Sequence, residues 1–283
     1  MTPEELLKAG RLDDCLSQTE RGVRSAPADP KLRVMLFQVL AVMGQWDRAL
    51  TQLEVAAEMN AENALMGQMY RAAILCEKFR EDVFAGRRSP LILGEPEAWI
   101  GMMVQAAALA GQGNHAAASD LRARALEDAP TSAGEIDIGP EEGRTQTQRF
   151  EWIADLDETM GPMFEALVDG KYYWVPWNRV QLLRLEPPTD LRDTVWLPGQ
   201  MVLSAGGEKV VLIPARYPGS ELARHDAGLR LGRRTEFGDR GGWEGPLGQR
   251  MLNTDAGEYA LLTCRAVRID GPHAPVESVP QAE

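Results

Sequence analysis

Histidine and cysteine are both scarce, with three of each in 283 residues. His115, His225 and His273 have no second His or Cys at metal-ligand spacing, so a metal site is not expected. Cys15, Cys76 and Cys264 are far apart and odd in number. That excludes a disulfide framework and points to small core residues in a reducing compartment. No apolar run approaches a membrane span, and nothing before the first helical pattern resembles a signal peptide. The expected setting is the cytoplasm, without membrane insertion. Basic residues are also short: 30 Lys and Arg stand against 42 Asp and Glu, for a net charge of −12. With no basic stripe, nucleic acid is not expected as a partner. The Walker A, GxGxxG and GxSxG patterns are all missing. No cofactor is expected, and no serine-hydrolase elbow.

What is present falls into two parts. In residues 1–130, AGRLDDCL and MGQWDRAL place Gly10 and Gly44 one tetratricopeptide period of 34 apart. A third copy, GQGNHAAA, puts Gly113 another 69 residues on. Five residues after each Gly comes a small side chain: Cys15, Ala49, Ala118. Seventeen after come Pro27, Ala61 and Pro130. Such a Gly ends the first helix of a pair, the small residue admits the second, and Pro stops it. Between the second and third copies the period fails, and Ala64–Ala85 reads as one long helix. The expectation is a degenerate TPR-like helical domain of five to seven helices, too short to stand without a cap.

Residues 131–149 are rich in Gly, Ser, Thr and acids and read as an acidic linker. Within 131–170 there are 10 acidic and 2 basic residues, the pattern of a solvated segment. The stretch Arg149–Val180 then holds Trp152, Trp174 and Trp177, with Trp196 beyond it. Met160, Met163, Phe164, Leu167 and Val168 recur at helical spacing. The reading is a helix capped by Asp157 or Thr159 and stopped at Gly170, followed by an aromatic strand from Tyr172 to Val175. Short strand-length runs follow at Val180–Leu185, Val195–Leu203, Lys209–Ile213 and Tyr259–Ile269, with a hairpin turn at Ser204–Glu208 and a Gly-rich loop at Asp239–Arg250. Residues 150–270 are expected to form an α+β domain, with a small, mainly antiparallel sheet or barrel and one packed helix. Residues 271–283 read as a flexible tail.

One motif invites chemistry. Asp155 and Asp157 in WIADLDETM match the DxDx[TV] opening of haloacid-dehalogenase phosphatases, where one Asp attacks phosphorus and the other moves a proton. This chemistry needs alternating strands and helices with a Lys and a second acidic pair after the motif, whereas the chain continues into short aromatic strands and its only adjacent Asp pair, Asp13-Asp14, lies before the motif. Helix capping is the plainer reading. A calcium loop fails because Met160 and Ala166 stand where Gly and Glu belong. Arg216 and Tyr217 in LIPARYPGS, with Tyr172 and Trp177, are candidate protein-binding residues, since Arg, Tyr and Trp are common interface anchors. The alternative is internal: Arg216 paired with Asp190 or Asp193, and Tyr217 plugging a barrel end.

The runs FEWIADLDE, GKYYWVPW, DLRDTVWLP and LIPARYPGS resemble the ImpE family, also called TagJ or SciE-type. LRVMLFQVLAVMGQWDRALTQLEVAAEMNAE and EPEAWI extend the resemblance over nearly the whole chain. It implies a non-enzymatic, virulence-associated accessory of type VI secretion. Family members are linked to a helix of the contractile sheath's small subunit and to the AAA+ unfoldase that recycles the sheath. A groove in a helical repeat suits that task. A phosphatase using Asp155 and Asp157, or a scaffold outside secretion, stand as alternatives.

Overall fold

Glycine makes three of the helical turns. In a computed structural model, which describes residues 1–139, 145–240 and 244–271, Gly10, Gly44 and Gly113 have φ of 70°, 67° and 85°. That left-handed region is costly for any residue with a Cβ. Each Gly separates two helices: α1 (Pro3–Lys8) from α2 (Leu12–Ser25), α3 (Pro30–Val42) from α4 (Trp46–Met59), and α6 (Ala98–Gly111) from α7 (His115–Asp128). Cys15, Ala49 and Ala118, five residues after each Gly, are fully buried in the hairpin contacts. Helix starts follow local chemistry. Thr2 and Glu5 form a capping box on α1, and Asp29 caps α3 with Pro30 in its first turn. The long helix α5 (Ala64–Phe84) stands between the second and third hairpins. None of the described helices is long and apolar enough to cross a membrane.

The rest of the chain is mostly strand. A nine-stranded sheet has the order β1-β6-β5-β9-β8-β7-β14-β2-β3. The strands are β1 (Leu91–Ile92), β2 (Gly134–Ile138), β3 (Gln146–Phe150), β5 (Met163–Val168), β6 (Lys171–Pro176), β7 (Val180–Leu185), β8 (Trp196–Leu203), β9 (Glu208–Pro214) and β14 (Cys264–Ile269). All neighbours run antiparallel except β1, which lies parallel to β6. A smaller sheet joins β4 (Ile153–Asp155), β12 (Met251–Thr254) and β13 (Gly257–Ala260), and β10 (Thr235–Asp239) pairs with β11 (Glu244–Gly248). A four-residue helix, α8, spans Ala227–Arg230.

Strand alternation divides the large sheet into two apolar faces. Leu167, Tyr172, Trp174, Trp196 and Leu212 join the helical core, beside Tyr70, Ile74 and Trp46. Phe164, Val175, Trp177, Leu197 and Ile213 form a second core on the opposite face. The helical half and the sheet are therefore two layers across one shared interior.

Four expectations need correction. The predicted helix at Met160–Val168 is a tight turn at Asp157–Gly161 followed by β5. All six residues of β5 are buried, three on each face, so the run lacks the polar alternation of a half-exposed strand. The sheet is large rather than small, and among the described residues of the C-terminal half the one α-helix is the four-residue α8. The segment expected as a linker supplies β2 and β3, because Ile136 and Phe150 enter the second core. The Gly-rich stretch 239–250 carries β11, while residues 241–243 of it, like the tail from 272, lie outside the described residues.

Candidate protein-binding surface

The helical layer meets the sheet through a seam of buried charge. Arg80 on α5 makes a bidentate pair with Glu165 on β5: Nε lies 2.5 Å from Oε1 and Nη2 lies 2.7 Å from Oε2. Glu165 also accepts from Arg250 and from the Tyr172 hydroxyl. Arg250 reaches Asp155 on β4 with its other terminal nitrogen. Glu77, one turn before Arg80, accepts from the Trp196 indole at 2.9 Å. Each of these carboxylates and guanidiniums is at least 94% buried. Burial raises the carboxyl pKa of Glu77, and it pushes Asp155 up to about 6 despite Arg250. At Glu165 burial acts the same way, but Arg80 and Arg250 outweigh it and hold the group below its ordinary value.

The four residues that the sequence singles out for partner binding all lie inside. Arg216 donates to the carbonyls of Val42 at 2.8 Å and Ala41 at 3.4 Å, at the C-terminal end of α3, and to Arg230 at the end of α8. It thus places positive charge where the helix dipole is negative. Neither Asp190 nor Asp193 holds it. Asp193 accepts instead from the backbone of Thr189 and Asp190, and Asp190 pairs with Arg192. Tyr217 exchanges hydrogen bonds with the Met251 backbone beneath the Arg250 guanidinium. Tyr172 belongs to the seam, and Trp177 packs on Phe164 with ring centroids 4.3 Å apart. At 0–4% exposure these side chains offer no area to a partner. The same holds for the motif carboxylates. Asp155 is tied to Arg250 and Asp157 to Arg240, and Asp157 also accepts from the Thr159 backbone. Among the described residues, no group of three or more His, Cys, Asp or Glu is placed to hold a metal ion.

Exposed apolar surface gathers elsewhere, along α5. The β5–β6 hairpin turns on Asp169 and Gly170, with φ of 49° and 73°. Two successive residues in the left-handed region make the tight turn that fits strand twist. The Gly170 carbonyl accepts from the Cys76 thiol at 3.5 Å, and a Cβ there would sit 3.4 Å from that of Ala72. The hairpin tip thus rests on the middle of α5 and leaves a hollow on each side. The first, about 400 Å³, is bounded by Leu65, Met69, Leu167 and Val210. The second, about 240 Å³, is bounded by Leu75, Phe79, Leu91 and Lys171. Leu65 is 78% exposed and Val210 68%. Leu75 and Leu91 are also exposed. Sequence reasoning passed over this strip because α5 reads as a core helix. Its signal was Leu65, an apolar residue at the helix start that the buried stripe does not need.

Residues 147–268 match the model of the ImpE protein family. Over 94% of its length the chain is 47% identical to the type VI secretion system accessory component TagJ of Pseudomonas aeruginosa, covering 90% of that protein. The chain belongs to the ImpE family. The crystal structure of a Vibrio parahaemolyticus protein superposes with a TM-score of 0.81 at 19% identity, over 95% of this chain and 97% of that one. The two therefore share the whole two-layer architecture. The ImpE match includes Glu165, Arg216 and Arg250, while Arg80 and Glu77 lie ahead of it on α5. The helical layer is thus built into the ImpE sheet through charges supplied from outside the matched region.

Proposed function

We propose that this ImpE chain is a cytoplasmic, non-enzymatic adaptor of a type VI secretion system. It binds a helix of the contractile sheath's small subunit and links it to the AAA+ unfoldase that recycles the sheath. The observation that carries this reading is the 47% identity, over 94% of the chain, to a type VI secretion accessory component. Supporting it are the helical hairpins of the N-terminal half, an architecture suited to holding helices, and the exposed apolar strip along α5. The carboxylates of the phosphatase alternative are committed to guanidinium partners. Apolar burial supplies most of the affinity, with a few polar contacts fixing register. Calorimetry of the full chain with the purified small subunit tests this at low and high salt. Heat of binding that persists in high salt supports it. Absence of heat in both buffers rejects the sheath partner. Binding lost in salt moves the contact to exposed charges, which are screened over roughly 8–10 Å at physiological ionic strength.

A further inference from the structure

A third hollow lies away from the α5 strip, where the first helices of two hairpins face the C-terminal half. It measures about 370 Å³. Lys31, Val34, Met35 and Gln38 present one face of α3 to it, at i, i+3, i+4 and i+7. Glu4, Leu7 and Lys8 do the same from α1. Residues 189–191 close the third side. The walls are tied down. Asp193 accepts from the backbone N–H of Thr189 at 2.9 Å and of Asp190 at 2.8 Å, which sets the turn. Arg233 donates to the carbonyls of Leu7 at 2.7 Å and Lys8 at 3.1 Å, which holds the end of α1 to the C-terminal half. The hollow is thus formed before anything enters it.

Gln38 is only 6% exposed, yet its amide has no hydrogen-bond partner among the described residues. A buried amide left so costs stability, and this one lines the hollow. An amide both donates and accepts, which matches a peptide group, itself one donor and one acceptor. The rim adds charge. Lys8, Lys31 and Arg233 are exposed and have no carboxylate partner among the described residues, on a chain of net charge −12. Of the two rim acids, Asp190 is paired with Arg192 at 2.5 Å. Glu4 stands in the first turn of α1, where its own backbone N–H and Thr2 lower its carboxyl pKa. Three cations against two acids leave the rim net positive. Below it the walls are apolar: Leu7, Val34, Met35 and Leu191. Size narrows the occupant. One turn of helix with its side chains fills about 500 Å³, from a diameter of roughly 10–12 Å and a pitch of about 5.4 Å. A helix is too thick to enter, whereas an extended segment fits.

We infer that this hollow is a docking site for a short extended segment of an acidic partner protein. An apolar side chain lies among Leu7, Val34, Met35 and Leu191, a peptide group pairs with Gln38, and a carboxylate meets Lys8 and Lys31. No residue of the site belongs to the α5 strip, and the inference does not rest on the sheath partner.

The test uses the full chain and fluorescein-labelled, end-blocked octapeptides in which a leucine stands one, two or three places before a Glu-Asp pair. A matched set carries Gln-Asn in place of that pair. Binding is read by fluorescence anisotropy, with circular dichroism on every variant. At least one acidic peptide should bind, roughly fivefold or more tightly than its Gln-Asn counterpart, and added salt should narrow that difference. Lys8→Glu and Lys31→Glu should each weaken it roughly fivefold or more. Gln38→Leu, which keeps the apolar packing, should weaken it about fivefold. Lys209→Glu makes the same charge change on the sheet, beside Asp169, and should leave binding unchanged. Lys31→Glu should regain affinity for a peptide with Lys-Lys in place of Glu-Asp, an outcome that misfolding does not produce. No binding by any acidic peptide, equal binding of the neutral set, or an equal loss with Lys209→Glu overturns the inference. Displacement of the peptide by equimolar succinate also overturns it, because a bare dianion would then suffice.

Discussion

Arg80 and Glu165 are 85 residues apart in sequence and meet through two hydrogen bonds with no solvent on either side chain to speak of. One comes from the helical layer and the other from the sheet. Their fork geometry fixes distance and angle together.

Breaking that pair is expected to be expensive. Glu165→Gln keeps the shape but leaves Arg80 and Arg250 facing a neutral amide in a dry seam. A loss of about 3–5 kcal/mol is expected, the usual cost of leaving a buried charge uncompensated. Urea unfolding checks it. Arg80→Met combined with Glu165→Leu should recover part of the loss, because no charge is then stranded between those two positions. A double variant no more stable than Glu165→Gln would contradict this account.

Asp155 sets a pH dependence of known sign. Its carboxyl titrates near 6 in the folded protein against 3.8 ordinarily, because burial disfavours the anion. Between those values the folded chain holds a proton that the unfolded chain has released. The contribution of Asp155 is therefore full below about 4 and shrinks as pH rises through about 6. Asn cannot titrate. The stability gap between wild type and Asp155→Asn should widen as pH falls from 7 to 4, by on the order of 1–3 kcal/mol. Glu165, held low by its guanidiniums, acts in the opposite sense in both proteins. Denaturation curves at four pH values test this, and a gap that is flat or narrows toward acid refutes it.

Arg216 is expected to resist even conservative replacement. Lysine keeps the charge, but its point-like ammonium cannot span the carbonyls of Ala41, Val42 and Arg230 as the planar fork does. Arg216→Lys should cost about 1–3 kcal/mol, the range for a buried carbonyl left without its donor. Hydrogen exchange should show the added opening at the end of α3 rather than in the distant sheet edge. Uniform loss of protection would argue against the capping role.

Much of this structure could be read from the chain before any coordinates. The strand at Val180–Leu185 was expected with the same bounds it has. Gly10, Gly44 and Gly113 marked their turns because a left-handed residue leaves a chemical signature. β5 did not, because a strand buried on both faces shows only apolar residues, and its Met and Leu happen to fall at helical intervals. Glu165 carried a usable clue. A single acid inside MFEALV must either point to water or own a partner, and in a strand closed on both sides only a partner remains. Which arginine answers it is not a local property. The same is true of Arg216, two of whose three backbone acceptors lie more than 170 positions away. The α5 strip stayed hidden because exposure is decided by how far the β5–β6 hairpin reaches, and Gly170 decides that.

The seam has a mechanical consequence. Two layers held by oily contacts alone can shear past each other at little cost, since one apolar neighbour replaces another. Here a slip of one helical turn, about 5.4 Å, would carry Arg80 off both oxygens of Glu165 and Glu77 off the Trp196 indole. Every intermediate position would leave like or unmatched charges face to face without water. A load that pushes the helices along the sheet is therefore resisted by these matched charges as well as by apolar packing.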